Sequence, residues 1–217
     1  MSYPRPANPS ATDLLALRLE ELRAALRRRD PRLLALHTGT TYLPGEPGSG
    51  QFLLELCGQP VRLTFPELVG WEAEGQSELA AVYQGLLLYY FFTADGTPEA
   101  GEWISFAELP DGRFYQQAFQ GYTGRELARA FGDDPHSFAQ VAQKLGGEWR
   151  ELGQMAYEFH WLPRVSLLVV LWQGDEDFPT SCQVLYDRSA AHYLPTDACA
   201  LLGSLLTRRL IKDISEN

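Results

Sequence analysis

A chain of 217 residues, 45% hydrophobic and 21% charged, has the composition of one globular domain and excludes a disordered or fibrous protein. Its formal net charge of -10 is localised: residues 33–112 carry eleven acids against the single base Arg62, and the remainder of the chain balances. Such a segment repels phosphate backbones and excludes nucleic acid as a partner, while the longest uncharged run, Leu79 to Ala94, is too short to cross a bilayer.

The Pro-rich residues 1–9 read as a disordered tail without a signal-peptide core, and residues 10–217 as a single globular domain. Ser10 and Asp13 form the start signal of a helix whose stripe is Leu15, Leu19, Leu22 and Leu26, and Pro31 opens a second short helix through Leu36. The arginines 23, 27, 28, 29 and 32 fall mostly in a last helical turn, where cations suit the dipole. After a Gly/Pro loop the hydrophobic period changes to two. Folding about Gly58-Gln59 sets Phe52 opposite Phe65, Leu54 opposite Leu63, Leu56 opposite Val61 and Glu55 opposite Arg62, so each pair matches in character.

Ser77 caps a strongly apolar, buried helix to Thr93, and an irregular aromatic stretch follows from Gly101 to Phe119. Thr123 and Glu126 form a capping box for a short helix, and Asp134 before Pro135 starts another with Phe138, Val141, Ala142 and Leu145 inward. Met155 to Trp161 alternates as a half-buried strand, and Val165 to Trp172 is the unbroken apolar run of a central strand. A strand at Cys182 to Tyr186 and a helix from Thr196 close the chain. Helices and strands come in blocks, which places the fold in the α+β class with a mainly antiparallel sheet flanked by helices.

The phosphate-loop, dinucleotide-fold, nucleophile-elbow and zinc-protease signatures are all missing. Gly174-Asp175-Glu176-Asp177-Phe178-Pro179 follows the apolar strand, and alternate carboxylates there suit a hard divalent cation. A soluble turn is the simpler reading of the same residues. Glu158 and His160 share a strand face and combine with Asp177 and Asp187 only if the last three strands are neighbours. Histidines in such varied settings are more often structural. Aromatics cluster from Tyr89 to Tyr122, and Trp103, Arg113, Tyr115 and Arg164 are the candidate ligand-binding residues. Both arginines interrupt apolar surroundings, where a buried guanidinium needs a carboxylate. Cys57, Cys182 and Cys199 are few, odd in number and without a CxxC pair, so three reduced thiols in a cytoplasmic protein are expected.

Two long motifs, Gly101 to Tyr115 and Leu162 to Pro179, together with Val184 to Asp187 and the Ala190-x-x-Tyr193-Leu194-Pro195 segment, resemble the bacterial and archaeal family catalogued as domain of unknown function 3786. The similarity spans Leu15 to the final helix. It implies a shared fold and an intracellular setting, with no reaction attached. Some similar proteins carry a cysteine-rich, iron–sulfur-like segment that this chain lacks, so no iron–sulfur cluster is expected. The reading is a non-catalytic cytoplasmic binding or accessory protein for a protein or small-molecule partner. The alternative is a metal-dependent enzyme, transferase- or hydrolase-like, using the loop Asp175 to Asp177 with a divalent metal as cofactor.

Overall fold

The computed structural model describes residues 11–132 and 134–214. The expected tail at residues 1–9 and the Ser10 start signal lie outside them. Helix α1 (Ala11–Leu26) buries Leu22 and Leu26 and leaves Leu15 half exposed. Helix α2 (Pro31–Thr38) starts as its sequence dictates. Pro31 needs no N–H partner in the first turn, and the Arg32 N–H donates to the Asp30 carboxylate at 2.8 Å.

The first sheet is an antiparallel meander of β1 (Thr41–Pro44), β2 (Gly50–Leu56), β3 (Gln59–Phe65) and β4 (Gly70–Glu72). Every predicted inward residue of β2 and β3 is buried, Leu54 and Leu63 included. The register differs from the matched-pair expectation by two residues. Leu53 faces Arg62, Glu55 faces Pro60 and Phe52 faces Leu63. A two-residue slip keeps each side chain on its own face, so hydrophobic pattern alone does not detect it. The turn decides instead: Cys57 (φ 54) and Gly58 (φ 72) are both left-handed, as a tight I′ hairpin requires. The Cys57 N–H donates to the Trp161 carbonyl at 2.8 Å, and that bond to the second sheet holds a residue that would otherwise avoid positive φ. Freed from Glu55, the Arg62 guanidinium stacks over Trp71, 5.2 Å from its ring centre.

Helix α3 (Ala81–Thr93) starts later than its expected Ser77 cap. Residues 77–79 are occupied along the outer side of β4, where Glu72 N donates to Ser77 O and Leu79 N to Gly70 O. Gln84, the one amide in the apolar run, is buried and clamps Gly70: it accepts from the Gly70 N–H at 2.7 Å and donates to the Gly70 carbonyl at 2.9 Å. At the other end of α3 the Phe92 carbonyl accepts from Arg29, which also lies 4.9 Å over the Phe92 ring. With Arg27 donating to Pro66 O and Arg23 to Leu68 O, these three arginines fasten neighbouring segments.

The second sheet has the order β5-β9-β8-β7-β6, all antiparallel: β5 (Trp103–Ser105), β6 (Glu148–Arg150), β7 (Met155–Leu162), β8 (Val165–Trp172) and β9 (Ser181–Asp187). As the unbroken apolar run predicts, β8 is central and covered on both faces. Strand β7 was expected to be half-buried, yet Ala156 and Glu158 on its second face are buried too. Trp103, Trp172 and Leu185 close over Ala156, Leu168 and Val170, and Glu158 accepts from Arg150 Nε at 2.6 Å. The four remaining helices are α4 (Gln116–Tyr122), α5 (Gly124–Phe131), α6 (Pro135–Lys144) and α7 (Thr196–Ile214); α5 packs on β9, α6 on β7, and α7 on both helices. Asp134 caps α6 by accepting from Ser137 N at 3.0 Å. Thr123 does not form its expected box with Glu126. It is fully buried, and its hydroxyl donates back to the Phe119 carbonyl at 2.6 Å, closing α4, while Glu126 pairs with Arg129.

The link from α3 to β5, residues 94–102, has no regular structure and is held by side chains. The buried Asp187 carboxylate accepts from Ala100 N (2.9 Å), Gly101 N (2.7 Å), Ser189 N (2.9 Å) and Ser189 Oγ (2.6 Å). Arg188 pairs with Glu102 at 2.6 Å, His192 Nδ1 stands 2.8 Å from Asp95, and the Tyr193 hydroxyl donates to Thr97 O. Among the described residues no helix is long and apolar enough to cross a membrane.

Two outcomes follow. Gly58→Ala should cost about 1 kcal/mol in urea denaturation, since its Cβ would meet no backbone closer than 3.7 Å and only the left-handed conformation resists it. Burial raises the Asp187 carboxyl, but the bonds from Ser189, Ala100 and Gly101 outweigh it and hold the group below its ordinary 3.8. Asp95 is held at about 2, first by the His192 hydrogen bond. Depressed carboxylates stabilise the fold fully above the unfolded value near ~4 and lose that contribution as pH falls through the folded one. Wild type should therefore lose stability more steeply than Asp187→Asn as pH falls below ~4, measured by denaturant titration at each pH.

Candidate functional site

The irregular aromatic stretch after β5 sorts its rings into two sets. Ser105 N and Oγ both donate to Glu108 at 2.8 Å, closing a single 3-10 turn that directs Phe106 inward. Phe106 stacks on Phe119 at 4.2 Å and 13°, and Phe119 lies 6.1 Å from Tyr186. A second turn begins at Asp111, whose φ of 58 reverses the chain, and it delivers Arg113, Phe114 and Tyr115 to the surface. Phe114 is 82% exposed, Tyr115 65% and Tyr122 42%.

Helix α7 comes in beside α4. The Thr196 hydroxyl donates to the Pro110 carbonyl at 2.5 Å and ties the start of α7 to the loop. One turn further on, the Tyr186 hydroxyl donates to Cys199 O at 2.7 Å. Gly203 permits the close approach, because a Cβ there would lie 2.5 Å from the Tyr186 oxygen and 2.9 Å from the Phe119 ring. Between the two helices runs a mainly apolar groove of about 280 Å³. Tyr115, Ala118 and Tyr122 fall at positions i, i+3 and i+7 on one side, and Thr196, Asp197 and Ala200 form the other. The buried Phe106 and the exposed Asp111 complete the lining. Partial burial raises the Tyr122 phenol, which is a neutral hydrogen-bond donor at neutral pH. Among the described residues neither Asp111 nor Asp197, which edge the groove, has an ion-pair partner.

Of the residues singled out in the sequence, Tyr115 lines this groove and Arg113 stands exposed on the turn between Asp111 and Tyr115. Arg113 needs no buried carboxylate, contrary to expectation, because the turn carries it into solvent. Arg164, in the β7–β8 turn, is only half-buried and packs over Gly39. Trp103 covers the second face of the second sheet. The four residues therefore do not converge. Ala118, Asp197 and Ala200 were missed, since small residues and a lone helix-start acid carry no signal until two helices are brought together. The i, i+3, i+7 spacing of Tyr115, Ala118 and Tyr122 was the available clue.

The acidic loop is knitted to itself. Asp175 Oδ1 accepts from Asp177 N at 2.9 Å and Phe178 N at 2.8 Å, and Asp175 N donates to Phe178 O. Asp177 and Glu176 point to solvent. Among the described residues no three His, Cys, Asp or Glu side chains are gathered as metal ligands. Strands β7, β8 and β9 are neighbours, as the composite-site idea requires, but Asp177 lies at the opposite end of β8 from His160 and Asp187. His160 Nδ1 stands 2.8 Å from Ser166 Oγ and its Nε2 3.6 Å from Glu158. These are the ingredients of a nucleophile relay, yet Ser166 is 2% exposed and its proton goes to Glu99 at 2.9 Å. No substrate can reach that hydroxyl. All three cysteines are free, and burial pushes each thiol up to about 12, which keeps them protonated and poor nucleophiles. Cys57 lies between two adjoining cavities of about 480 and 420 Å³ at the hairpin tip, where charges of both signs (Glu72, Glu74, Glu148, Lys144, Arg209) share the lining.

Two antiparallel sheets with helices packed against them, and a groove lined by aromatic residues between α4 and α7, define an α+β domain. Residues 30–209 match the family model described as Domain of unknown function (DUF3786), and the chain belongs to that family. The match contains both sheets and all the residues lining the groove; α1 falls outside it. No curated protein and no solved structure matches the chain.

Asp175→Ala, which removes the acceptor for two turn N–H groups, should cost about 1 kcal/mol in a thermal or urea melt. Asp177→Asn should change stability by less than about 0.5 kcal/mol in the same measurement.

Proposed function

We propose that this is a non-catalytic binding protein of the cytoplasm that presents the α4–α7 groove and its exposed aromatic rim to a partner protein. One observation carries the reading. Phe114, Tyr115 and Tyr122 stand in solvent next to Arg113 around an apolar groove, although the core a few ångströms away takes up Phe106 and Phe119 from the same stretch. Aromatic residues and arginine are the types that dominate binding energy at protein interfaces. Leaving three such rings in water gives up roughly 1.5–3 kcal/mol for each that could be fully buried, and a partner that covers them recovers it. Free, neutral thiols fit a reducing compartment. The second apolar groove, beside α1 and α3 (Leu15, Val82, Leu201), shares Asp197 with the first and extends the same face.

The reading is tested by selecting peptides from a random display library on immobilised wild-type protein. Selected peptides are expected to bind wild type saturably and to lose about tenfold or more on Tyr115→Ala/Tyr122→Ala, with the circular dichroism of the variant unchanged. Peptides that bind the double variant as well as wild type would place recognition elsewhere and sink the reading.

A further inference from the structure

The groove has a repeat, and the repeat names an occupant. Tyr115 caps α4, its carbonyl accepting from Phe119 N, and Tyr122 is the last residue of the helix, so at the helical rise their backbones stand about 10 Å apart. Between them Ala118 on α4 and Ala200 on α7 bring only methyl groups to the groove. A polyproline II helix turns once every three residues and advances about 9 Å per turn. The first and fourth residues of a Pro-x-x-Pro segment therefore repeat at the spacing of the two tyrosines. A proline ring can pack beside each phenol while the intervening residues pass the small side chains of Ala118 and Ala200. An α-helical ligand, with side chains about 5–6 Å apart on one face, matches that repeat less closely.

The polar groups agree. A polyproline II backbone makes no internal hydrogen bonds, so its carbonyls are free to accept, and the groove supplies tyrosine hydroxyls as donors. Asp111 and Asp197 edge the groove without ion-pair partners among the described residues and outnumber the one base beside it, Arg113, so the complementary charge on the occupant is positive. Both surfaces are formed in advance. The Phe106–Phe119 stack and the Thr196–Pro110 bond fix the site, and proline fixes the ligand, so little ordering entropy opposes the contact.

We propose that the α4–α7 groove binds a proline-rich segment of a partner protein, in polyproline II conformation, with an arginine facing Asp111 and Asp197. This rests on the reading of that groove as a docking site and adds the chemistry of its partner.

The test is fluorescence anisotropy with a labelled nine-residue peptide containing two Pro-x-x-Pro repeats and one terminal arginine. Two controls carry glycine for proline or alanine for the arginine. Saturable one-to-one binding to wild type is expected, weakened about tenfold by the glycine substitutions and by Tyr115→Ala or Tyr122→Ala. Asp197→Asn should weaken the arginine peptide about threefold or more and leave the alanine peptide unchanged, a coupling that a purely structural effect of the variant does not produce. The inference is overturned by absence of saturable binding below about 1 mM, by equal binding of the glycine control, or by tyrosine variants that bind like wild type. Display-selected peptides that need Tyr115 and Tyr122 but contain no proline would overturn this inference and leave the docking reading standing. A dimer seen in sedimentation and lost in the tyrosine variants would give the face to a second copy and also overturn it.

Discussion

The carboxylate of Asp187 sits at the end of β9, where burial alone would drive it to take up a proton, and four hydrogen bonds keep it charged. Two of those bonds go to Ala100 and Gly101, in a segment with no ladder of its own. They fix where the chain leaves α3 and enters β5, and β5 sets the position of everything that follows as far as α4. The aromatic groove thus rests on one buried charge in another part of the molecule. Arg188, Ser189, His192 and Tyr193, all within six residues of Asp187, hold the same segment or its anchor.

Beyond that anchor the site is rigid because each wall is packed from behind. Phe119 and Phe106 support α4, and Gly203 lets α7 lie close against Tyr186 and Phe119. Several polar side chains are committed within the fold. The thiols are neutral, Ser166 is enclosed, and Asp175 gives its Oδ1 to a turn.

Signals confined to one element were readable in the sequence. The apolar run of β8, the Asp30-Pro31 and Asp134-Pro135 helix starts and the inward faces of β2 and β3 depend on local periodicity and capping. Misreadings arose where a distant group outbid a local one. Ser77 is drawn to the edge of β4, Thr123 is buried and bonds backward, and the hairpin turn moves to Cys57 because its N–H finds Trp161. Candidate site residues were the least legible. Tyr115 and Arg113 could be named, but the groove needs Ala118, Asp197 and Ala200, whose importance lies in the helix opposite them.

The sheets end in a way that restricts how any partner can approach. Edge strands β5 and β6 have three residues each, β1 has four and finishes in Pro44, and β4 is already covered by residues 77–79. An incoming chain finds no long row of unpaired amide and carbonyl groups with which to continue either ladder. Association by strand addition, a simple route for one β-containing protein to hold another, is disfavoured at these edges. Selectivity must then be written in side chains, and it can change from one relative to another by substitutions on two helices without disturbing either sheet.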